Sequence, residues 1–595
     1  LASSIAHING QKVVGAEAYT SEPESGRWQE YPFALKAVGD KAFTEGINRM
    51  VVHRYAMQPH SNAVPAMTLG PWGIHFDRTN TWWEPARAWM DYLNRCQTLL
   101  QEGLFVADLA YFTGDNVVGY TKVHRNELNP VPPEGYDYDL MNTETLLNRA
   151  WIEQGRLRLP DGMSYRILVL QEQSYITLGL LRKLREMVEQ GLVIVGARPH
   201  QTVGLQSYSI TEEKEFEQLC DELWGKNMAT MIDRNIGKGR VFWEISLNLN
   251  QVFRQIQLKP DFEVGDNPNS APIRYIHRQI GDTDVYFVTN QRRTPEDIIC
   301  NFRVEGKVPE FWNPLTGERS RALVYQKNEG MTSVPIQLDE YGSVFVVFRS
   351  DLPEQTAIRS IYKDSECLVD ASVVSVEEQE QAKYFGVKDD FSISLWVKPE
   401  SDAMLNTDNP MGYISYPWTE YYAIYPSHGE LLYGTGHATC GMAIGRNGVA
   451  VWENAKGYPE FKMAVEKPIS GWSHICLVYK EGAPHIYING EYVTYKTRSL
   501  QTIHPGLNPT TLKEGASYYN GDMSVPVLFQ RVLSNKEISR LAAEGYVKKA
   551  DERALNWVPY ADNRFLLAWH DGNYDFITSD GVKKKIKVEK VGTPV

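Results

Sequence analysis

The stretch that most constrains the fold is residues 13–21, VVGAEAYTS. It predicts a short buried strand that ends at a carboxylate, Glu17, and continues into a loop of small polar residues. A helical run over 33–46, a second apolar strand over 47–53 and an amphipathic helix over 83–102 follow. This order predicts the last two βα units of a (β/α)8 barrel. Catalytic groups of such barrels lie at the carboxyl ends of the strands, where Glu17 stands.

The other six βα units of a barrel do not occur in the sequence. The chain also starts at Leu1 rather than Met, and no signal peptide precedes its first predicted strand. We therefore expect a fragment of a longer protein. We expect that longer protein to be secreted or periplasmic. Any acid or base on the missing strands would lie upstream.

The composition excludes several classes of partner. The 595 residues carry a net charge of −13 without a basic stripe, so nucleic acid is not an expected partner. No run of about 18 apolar residues occurs that could span a membrane. The six cysteines are far apart, without CxxC or Cys/His metal spacing.

Residues 104–255 differ in character from the segment before them. Apolar strands are predicted over 104–112, 165–170 and 192–195, with a helix over 178–190. Continuous apolar strands that alternate with helices predict a parallel, doubly wound α/β sheet. No GxGxxG follows any of these strands, which argues against a dinucleotide site.

The remaining chain is predicted to be all β. Residues 256–351 predict an antiparallel sandwich, and residues 352–548 a further β unit with a hairpin at Asn489-Gly490. Residues 549–595 return to β structure, and this region is expected to be truncated. The sequence therefore predicts a multidomain chain of α/β and all-β parts.

Several motifs carry a family resemblance. The segments VVGAEAYTS, GDKAFTEGINRMVVHRYAMQPH and TWWEPARAWMDYLNRCQTLLQEG resemble the TIM-barrel end of glycoside hydrolase family 106, the α-L-rhamnosidases. YRILVL and LGLLRKLREMVEQGLVIVGARP look like the Rossmann-like, amidotransferase-like domain behind that barrel, and FWNPLTG looks like the sandwich after it. DFSISLWVKP and GWSHICLVYKEGAPHIYINGEYV resemble a laminin-G/concanavalin-like jelly roll, which would be inserted into the family's own domains.

The resemblance implies a glycosidase that releases rhamnose, with inversion, from plant or microbial oligosaccharides or polysaccharides. Inversion uses two carboxyl groups roughly 6.5–9.5 Å apart, one protonating the leaving oxygen and one activating a water. Glu17 matches the glutamate of the family's AEA motif and is assigned as the base. Its rival role is ligand of the calcium ion that family members use. The acid would lie upstream, so this chain would be inactive by itself.

Polar and aromatic side chains follow the second strand, on the rim that holds Glu17. Loops at such a rim carry binding groups disproportionately. We expect sugar contacts from a set of these side chains: His53, Arg54, Gln58, His60, Trp72, His75 and Trp82. Trp83 is expected in the core, and the structural alternative for Glu17 is an ion pair with Arg49 or Arg54.

Two other functions stay open on the sequence. The first is another barrel glycosidase with a β-galactosidase-like layout, in which a nucleophile would lie about 5–5.5 Å from the acid. The second is a non-catalytic carbohydrate-binding protein that acts through the jelly roll. A second strand-end glutamate upstream would favour an enzyme.

Overall fold

The computed structural model describes most of residues 1–588. The residues left undescribed within that range are 22–27, 65–66, 69, 116–123, 172–174, 204–209, 227–230, 245–247, 266–272, 294, 353–356, 372–386, 404, 406–421, 427–428, 457–458, 507–518, 520, 525, 544, 546–556, 561–563 and 568–571. None of the helices in the described part is long and apolar enough to cross a membrane.

The N-terminal segment alternates helices and short strands. Its elements are α1 (Ala2–Ile8), β1 (Gly15–Ala18), α2 (Pro32–Thr44), β2 (Arg49–Val52) and α3 (Ala86–Leu100). Strands β1 and β2 pair in parallel, with Glu17 beside Val51. Both of these side chains are exposed on one face of the pair, whereas Ala18 and Val52 pack towards the core on the other. The predicted order of elements is confirmed, although α3 begins three residues later than expected.

Helix α2 is fixed to the following β domain by a buried carboxylate. Asp40 is fully buried and pairs with Lys36 one turn earlier. It also accepts hydrogen bonds from Tyr92 of α3 and from Thr289. Lys36 in turn donates to the hydroxyl of Ser343 at 2.9 Å. Because a buried charge is tolerated only when it is paired and hydrogen-bonded, this network fixes the position of α2.

The second region is a mainly parallel sheet with helices on both faces. Its elements are β3 (Leu104–Phe105), β4 (Leu109–Phe112), β5 (Tyr138–Met141), α4 (Thr143–Asn148), β6 (Trp151–Glu153), β7 (Arg156–Arg158), β8 (Ser164–Tyr165), β9 (Ile167–Leu170), β10 (Tyr175–Ile176), α5 (Leu178–Gln190), β11 (Val193–Val195), β12 (Gln201–Thr202), α6 (Ile210–Trp224), β13 (Met231–Ile236), β14 (Gly239–Glu244) and α7 (Leu249–Gln255), with a 3-10 turn at Arg125–Glu127.

The strand order of this sheet is β13-β14-β11-β9-β4-β5, and only β13 runs antiparallel. The order β5-β4-β9-β11-β14 is the 2-1-3-4-5 order of flavodoxin-like, doubly wound sheets. Alternate residues of β9 enter different cores: Leu168 faces the core under α5 and α6, and Ile167 faces the core under α7. The predicted parallel sheet is therefore confirmed.

A two-sheet sandwich follows. Its strands are β15 (Phe262–Val264), β16 (Ile273–Ile280), β17 (Thr283–Asn290), β18 (Glu296–Phe302), β19 (Val308–Trp312), β20 (Arg319–Arg321), β21 (Gln326–Asn328), β22 (Met331–Leu338) and β23 (Ser343–Arg349). The two sheets have the orders β15-β18-β22-β21 and β20-β19-β23-β17-β16-β3. Strand β3, predicted as part of one long strand over 104–112, thus pairs in the sandwich, whereas β4 belongs to the parallel sheet.

A jelly roll interrupts a small sheet that lies beyond the sandwich. The remaining elements are β24 (Ile358–Lys363), β25 (Glu366–Asp370), β26 (Phe391–Pro399), β27 (Tyr422–Ile424), α8 (Gly429–Tyr433), β28 (His437–Gly445), β29 (Gly448–Asn454), β30 (Glu460–Glu466), β31 (Ser473–Lys480), β32 (Ala483–Ile488), β33 (Glu491–Tyr495), β34 (Thr502–Pro505), β35 (Gly521–Met523), β36 (Val527–Phe529), α9 (Asn535–Ala543), β37 (Trp557–Tyr560), β38 (Arg564–Leu567), β39 (Gly572–Thr578) and β40 (Lys583–Val588).

Strands on either side of the jelly roll pair directly with each other. Strand β24 pairs antiparallel with β39, so residues on either side of the jelly roll meet in one four-stranded sheet. The jelly roll has its own core between its two large sheets, to which Ile393, Met442 and Leu477 contribute. The predicted hairpin at Asn489-Gly490 is confirmed, and both of these residues have positive φ, at 52° and 80°.

Candidate functional site

Glu17 lies on the exposed face of the β1–β2 pair. Its Oε1 accepts a hydrogen bond of 2.6 Å from the Thr20 hydroxyl. Neither Arg49 nor Arg54 forms an ion pair with it in the described part of the chain, so the structural alternative considered for this carboxylate does not occur there. The strand extends to Ala18, one residue beyond Glu17. The carboxylate is therefore free to meet a ligand from the open side of the sheet.

The loop that follows Glu17 is held by Tyr19. This residue has φ of 66° and its ring packs 5.1 Å from that of Trp89 in α3. Its hydroxyl is buried beside Gly39 of α2, without a hydrogen-bond partner among the described residues. Burial, followed by the charge of Asp40, raises the pKa of Tyr19 far above its usual range. Tyr19 is thus a neutral anchor placed between Glu17 and Thr20.

His53 and Arg54 follow β2 and pair through their backbones with the next part of the rim. The N–H of Arg54 donates to the Ile74 carbonyl at 3.3 Å, and the N–H of Ile74 donates to the His53 carbonyl at 3.2 Å. His53 Nδ1 and Arg54 Nε are buried atoms without a partner in the described residues. Buried polar atoms of folded proteins are normally hydrogen-bonded, so each of these two atoms retains the capacity for a further hydrogen bond.

The Gln58 amide forms its hydrogen bonds within the rim loop. Its Nε2 donates to the Met67 carbonyl at 2.9 Å and to Asp77 Oδ2 at 3.0 Å, and its Oε1 accepts from the Met67 N–H at 3.1 Å. Asp77 is buried and also accepts from Thr79. His60 is exposed, and its carbonyl accepts from Arg78 at 2.6 Å. These contacts shape the loop, so the Gln58 side chain supports the rim in the structure as it stands.

The aromatic residues of the rim fall into two groups. His75 is 4% exposed and stacks on Trp28 at 3.6 Å, and Trp82 packs on Phe76 while its indole N–H donates to the Glu30 carbonyl at 2.8 Å. Trp72, in contrast, is 40% exposed. His75 and Trp82 pack within the rim, whereas the Trp72 side chain is exposed.

Trp83, which was expected in the core, is only half-buried and precedes α3, which begins at Ala86. Its ring instead stacks on Tyr55 at 6.0 Å. Tyr55 is 63% exposed directly after Arg54, and it was not among the residues expected to contact sugar. Its exposed position three residues after the end of β2 makes it a further candidate for such a contact.

Among the described residues, Glu17 is the candidate calcium ligand. No group of three or more His, Cys, Asp or Glu side chains that could hold a metal occurs among them. Calcium takes six to eight oxygen ligands, and at Glu17 only this carboxylate and the Thr20 hydroxyl converge. These oxygens are too few to hold the ion without ligands from elsewhere.

Comparisons with known proteins identify both parts of the chain. The family model of glycoside hydrolase 106, described as alpha-L-rhamnosidase, matches residues 1–327. A model described as the concanavalin A-like lectin/glucanases superfamily matches residues 374–539. The first match places the chain among glycoside hydrolases, and since it covers more than half of the residues, the chain belongs to the glycoside hydrolase 106 family.

Two relatives extend this result. A protein of Formosa agariphila, provisionally named as a beta-glucuronidase, is 34% identical over 359 residues, which are 60% of this chain and 29% of that protein. The solved structure of a rhamnosidase from Novosphingobium sp. PP1Y has a TM-score of 0.52 and 25% identity, over 80% of this chain and 44% of that one. The chain thus spans less than half the length of either relative.

Proposed function

We propose that the whole protein hydrolyses α-L-rhamnosyl linkages of plant or microbial polysaccharides with inversion of configuration. Family membership and the likeness to a solved rhamnosidase support this reaction class. The observation that carries it is the exposed Glu17 on a parallel strand pair, with His53 and Arg54 following the neighbouring strand. A polysaccharide substrate favours a secreted or periplasmic location.

We further propose that residues 1–103 are the last two βα units of a (β/α)8 barrel. In such a barrel the exposed face of β1 and β2 would turn to the interior. The strand–helix–strand–helix order and the parallel pairing of β1 with β2, which leaves Glu17 and Val51 exposed on one face, support this arrangement. Glu17 would then project towards the substrate at the catalytic end.

In the proposed mechanism Glu17 is the general base. It would take a proton from the water that attacks the anomeric carbon, while a second carboxyl group about 6.5–9.5 Å away protonates the leaving oxygen. The Thr20 hydroxyl, which donates to Oε1, leaves Oε2 of Glu17 for the water. We assign the acid to another strand end, in the part of the whole protein that this chain does not span.

Calcium ligation remains the rival role for Glu17. A calcium ion, if bound, would orient sugar hydroxyl groups. Because the Glu17 carboxylate and the Thr20 hydroxyl offer too few oxygens for the ion, other ligands such as backbone carbonyls, further side chains or water would have to complete its coordination.

The test is Glu17→Gln in the whole protein, with Glu45→Gln as the matched control. Glu45 is also exposed, but it ends α2 at the helix terminus away from the β1–α2 loop. Loss of a general base should lower kcat on an aryl α-L-rhamnoside by about 10²–10⁴-fold, whereas Glu45→Gln should retain full turnover.

The products separate the remaining alternatives. NMR of the first sugar released should show inverted configuration, and retention would point to a nucleophile at about 5–5.5 Å instead. Cleavage of an aryl β-D-glucuronide but not of the rhamnoside would overturn the assigned substrate, and it would agree with the name of the Formosa relative. Full activity of the Glu17→Gln variant would contradict the assignment of Glu17 as the base.

A further inference from the structure

The first turn of α2 is covered by turns of the sandwich. The guanidinium carbon of Arg293, which lies between β17 and β18, is 5.8 Å from the centre of the Phe33 ring. The Phe33 ring in turn lies 5.3 Å from that of Tyr341, in the turn before β23. The start of α2 is therefore a place where the N-terminal segment and the sandwich meet.

The jelly roll contributes to the same place. Glu400, the first residue after β26, accepts a hydrogen bond from Arg293 through Oε2. The side chains of this ion pair are only 21% and 39% exposed. One charged side chain of the sandwich thus joins the ring of Phe33 to a carboxylate of the inserted domain.

This contact lies on the side of the N-terminal segment that holds Glu17. In a strand–loop–helix unit the helix begins at the end where the strand finishes, so the start of α2 shares a side with the end of β1. The residues just before α2 also contact the rim. The Ser21 hydroxyl donates to the Glu30 carboxylate, and the Trp82 indole donates to the Glu30 carbonyl at 2.8 Å.

We propose that the jelly roll is seated at the entrance of the candidate site through Glu400 and Arg293, and that it forms a wall for the part of the glycan beyond the cleaved rhamnose. It would therefore favour extended polysaccharides over small glycosides. The proposal rests on the function proposed above and names a specificity element for it.

A single ion pair of this kind is weak between separate molecules. Here both ends of the jelly roll are joined to one sheet, since β25 precedes it and β39 follows it. The contact is then intramolecular, and the high effective concentration of its partners favours the seated arrangement.

The experiment uses the whole protein with Glu400→Arg, Arg293→Glu and the double exchange. Kinetics are measured on an aryl α-L-rhamnoside and on two polysaccharides, pectic rhamnogalacturonan and gum arabic arabinogalactan. We expect wild-type kcat/KM to be higher on one of the polysaccharides than on the aryl α-L-rhamnoside. Each single variant should raise KM on that polysaccharide about five-fold, the upper range for such a pair, with the aryl glycoside unaffected. The double exchange should recover part of the wild-type value, because the ion pair is re-formed with reversed charges whereas the contact of Arg293 with the Phe33 ring is not.

Hydrogen exchange of residues 31–36 measures whether the jelly roll contacts the start of α2, and it does so independently of activity. The exchange rate should be higher in both single variants and should fall back part of the way towards the wild-type rate in the double exchange, which re-forms the ion pair but not the contact with Phe33. A wild-type protein that cleaves neither class of substrate contradicts the proposed function. Hydrogen exchange still tests the contact between the jelly roll and the start of α2 in that case. Equal loss on both classes of substrate, no preference for either polysaccharide, or unchanged exchange in the single variants would each overturn the proposal.

Discussion

His277 of β16 is a buried histidine between two carboxylates. Its Nδ1 lies 3.0 Å from Asp261 and its Nε2 lies 3.1 Å from Asp284. Arg303 and Lys307 contact the same two carboxylates. Burial lowers the pKa of His277, but the charges of Asp261 and Asp284 and the hydrogen bonds to them outweigh it and raise the pKa from 6.5 to about 9. A protonated imidazole is therefore part of the interior of the sandwich.

This histidine should make stability depend on pH in the alkaline range. A group whose pKa is raised by folding stabilises fully below its unfolded pKa of 6.5, and the effect is lost as pH rises through about 9. We expect His277→Asn to lower the stability of the sandwich by about 3 kcal/mol at pH 6, with a smaller difference at pH 10. Calorimetric scans over this range measure it, with His200→Asn, an exposed histidine, as control. A difference that grows above pH 9 would contradict the assignment.

At the residue scale the sequence predicted where polar side chains gather but not what each one does. His53 and Arg54 were expected at a strand end, and they follow β2 in the structure. The roles of Gln58 and His75 were not predictable, because each depends on loop contacts with Met67, Asp77 or Trp28 that no periodicity encodes. Side-chain function in a long loop depends on tertiary partners, and a single sequence does not state them.

At the element scale Gly39 shows how α2 holds the loop after Glu17. A Cβ at this position would lie closer to the Tyr19 hydroxyl oxygen than real Cβ atoms approach, whereas the nearest ring carbons would be 3.3 and 3.4 Å away. The absence of a side chain at residue 39 therefore makes room for the Tyr19 hydroxyl.

Gly39→Ala should destabilise the N-terminal segment by about 1–3 kcal/mol through overpacking, although alanine is the better helix former. Tyr19→Phe removes the hydroxyl, which has no partner among the described residues. The double variant should recover most of the stability lost in Gly39→Ala, because the closest contact is removed and alanine favours the helix, while the ring carbons at 3.3 and 3.4 Å keep the space tight. Thermal melts of the four proteins measure this cycle. If Gly39→Ala is harmless alone, or if Tyr19→Phe fails to rescue it, Tyr19 does not fill this space.

Periodicity predicted the bounds of helices and strands better than it predicted which strands pair with each other. Helix α5 has the predicted bounds. The predicted strand over 104–112 was wrong in its continuity, because β3 pairs with β16 of the sandwich and β4 with β9. Both halves are apolar, so hydrophobicity alone could not separate strands that belong to different sheets.

At the scale of the whole molecule, one core serves the N-terminal segment, the parallel sheet and part of the sandwich. Phe43 of α2, Leu168 of β9 and Phe287 of β17 belong to the same buried cluster. The jelly roll core, with Ile393 at its centre, is a separate cluster. The sequence marked the inserted domain by its alternating strands, but the pairing of β24 with β39 across it connects residues more than 200 positions apart and could not be read locally.

Separate cores predict separate unfolding transitions in calorimetry. Ile393→Ala removes a fully buried side chain from the jelly roll, and Phe43→Ala removes one from the large shared core. Each should cost about 2–5 kcal/mol and lower one transition by several degrees, since about 1 kcal/mol shifts the Tm of a domain of 150–250 residues by about 2–4 °C. Ile393→Ala should move only the jelly roll transition and Phe43→Ala only the other. The two variants control for each other. If either variant shifts both transitions together, the jelly roll and the rest of the chain do not unfold as separate units.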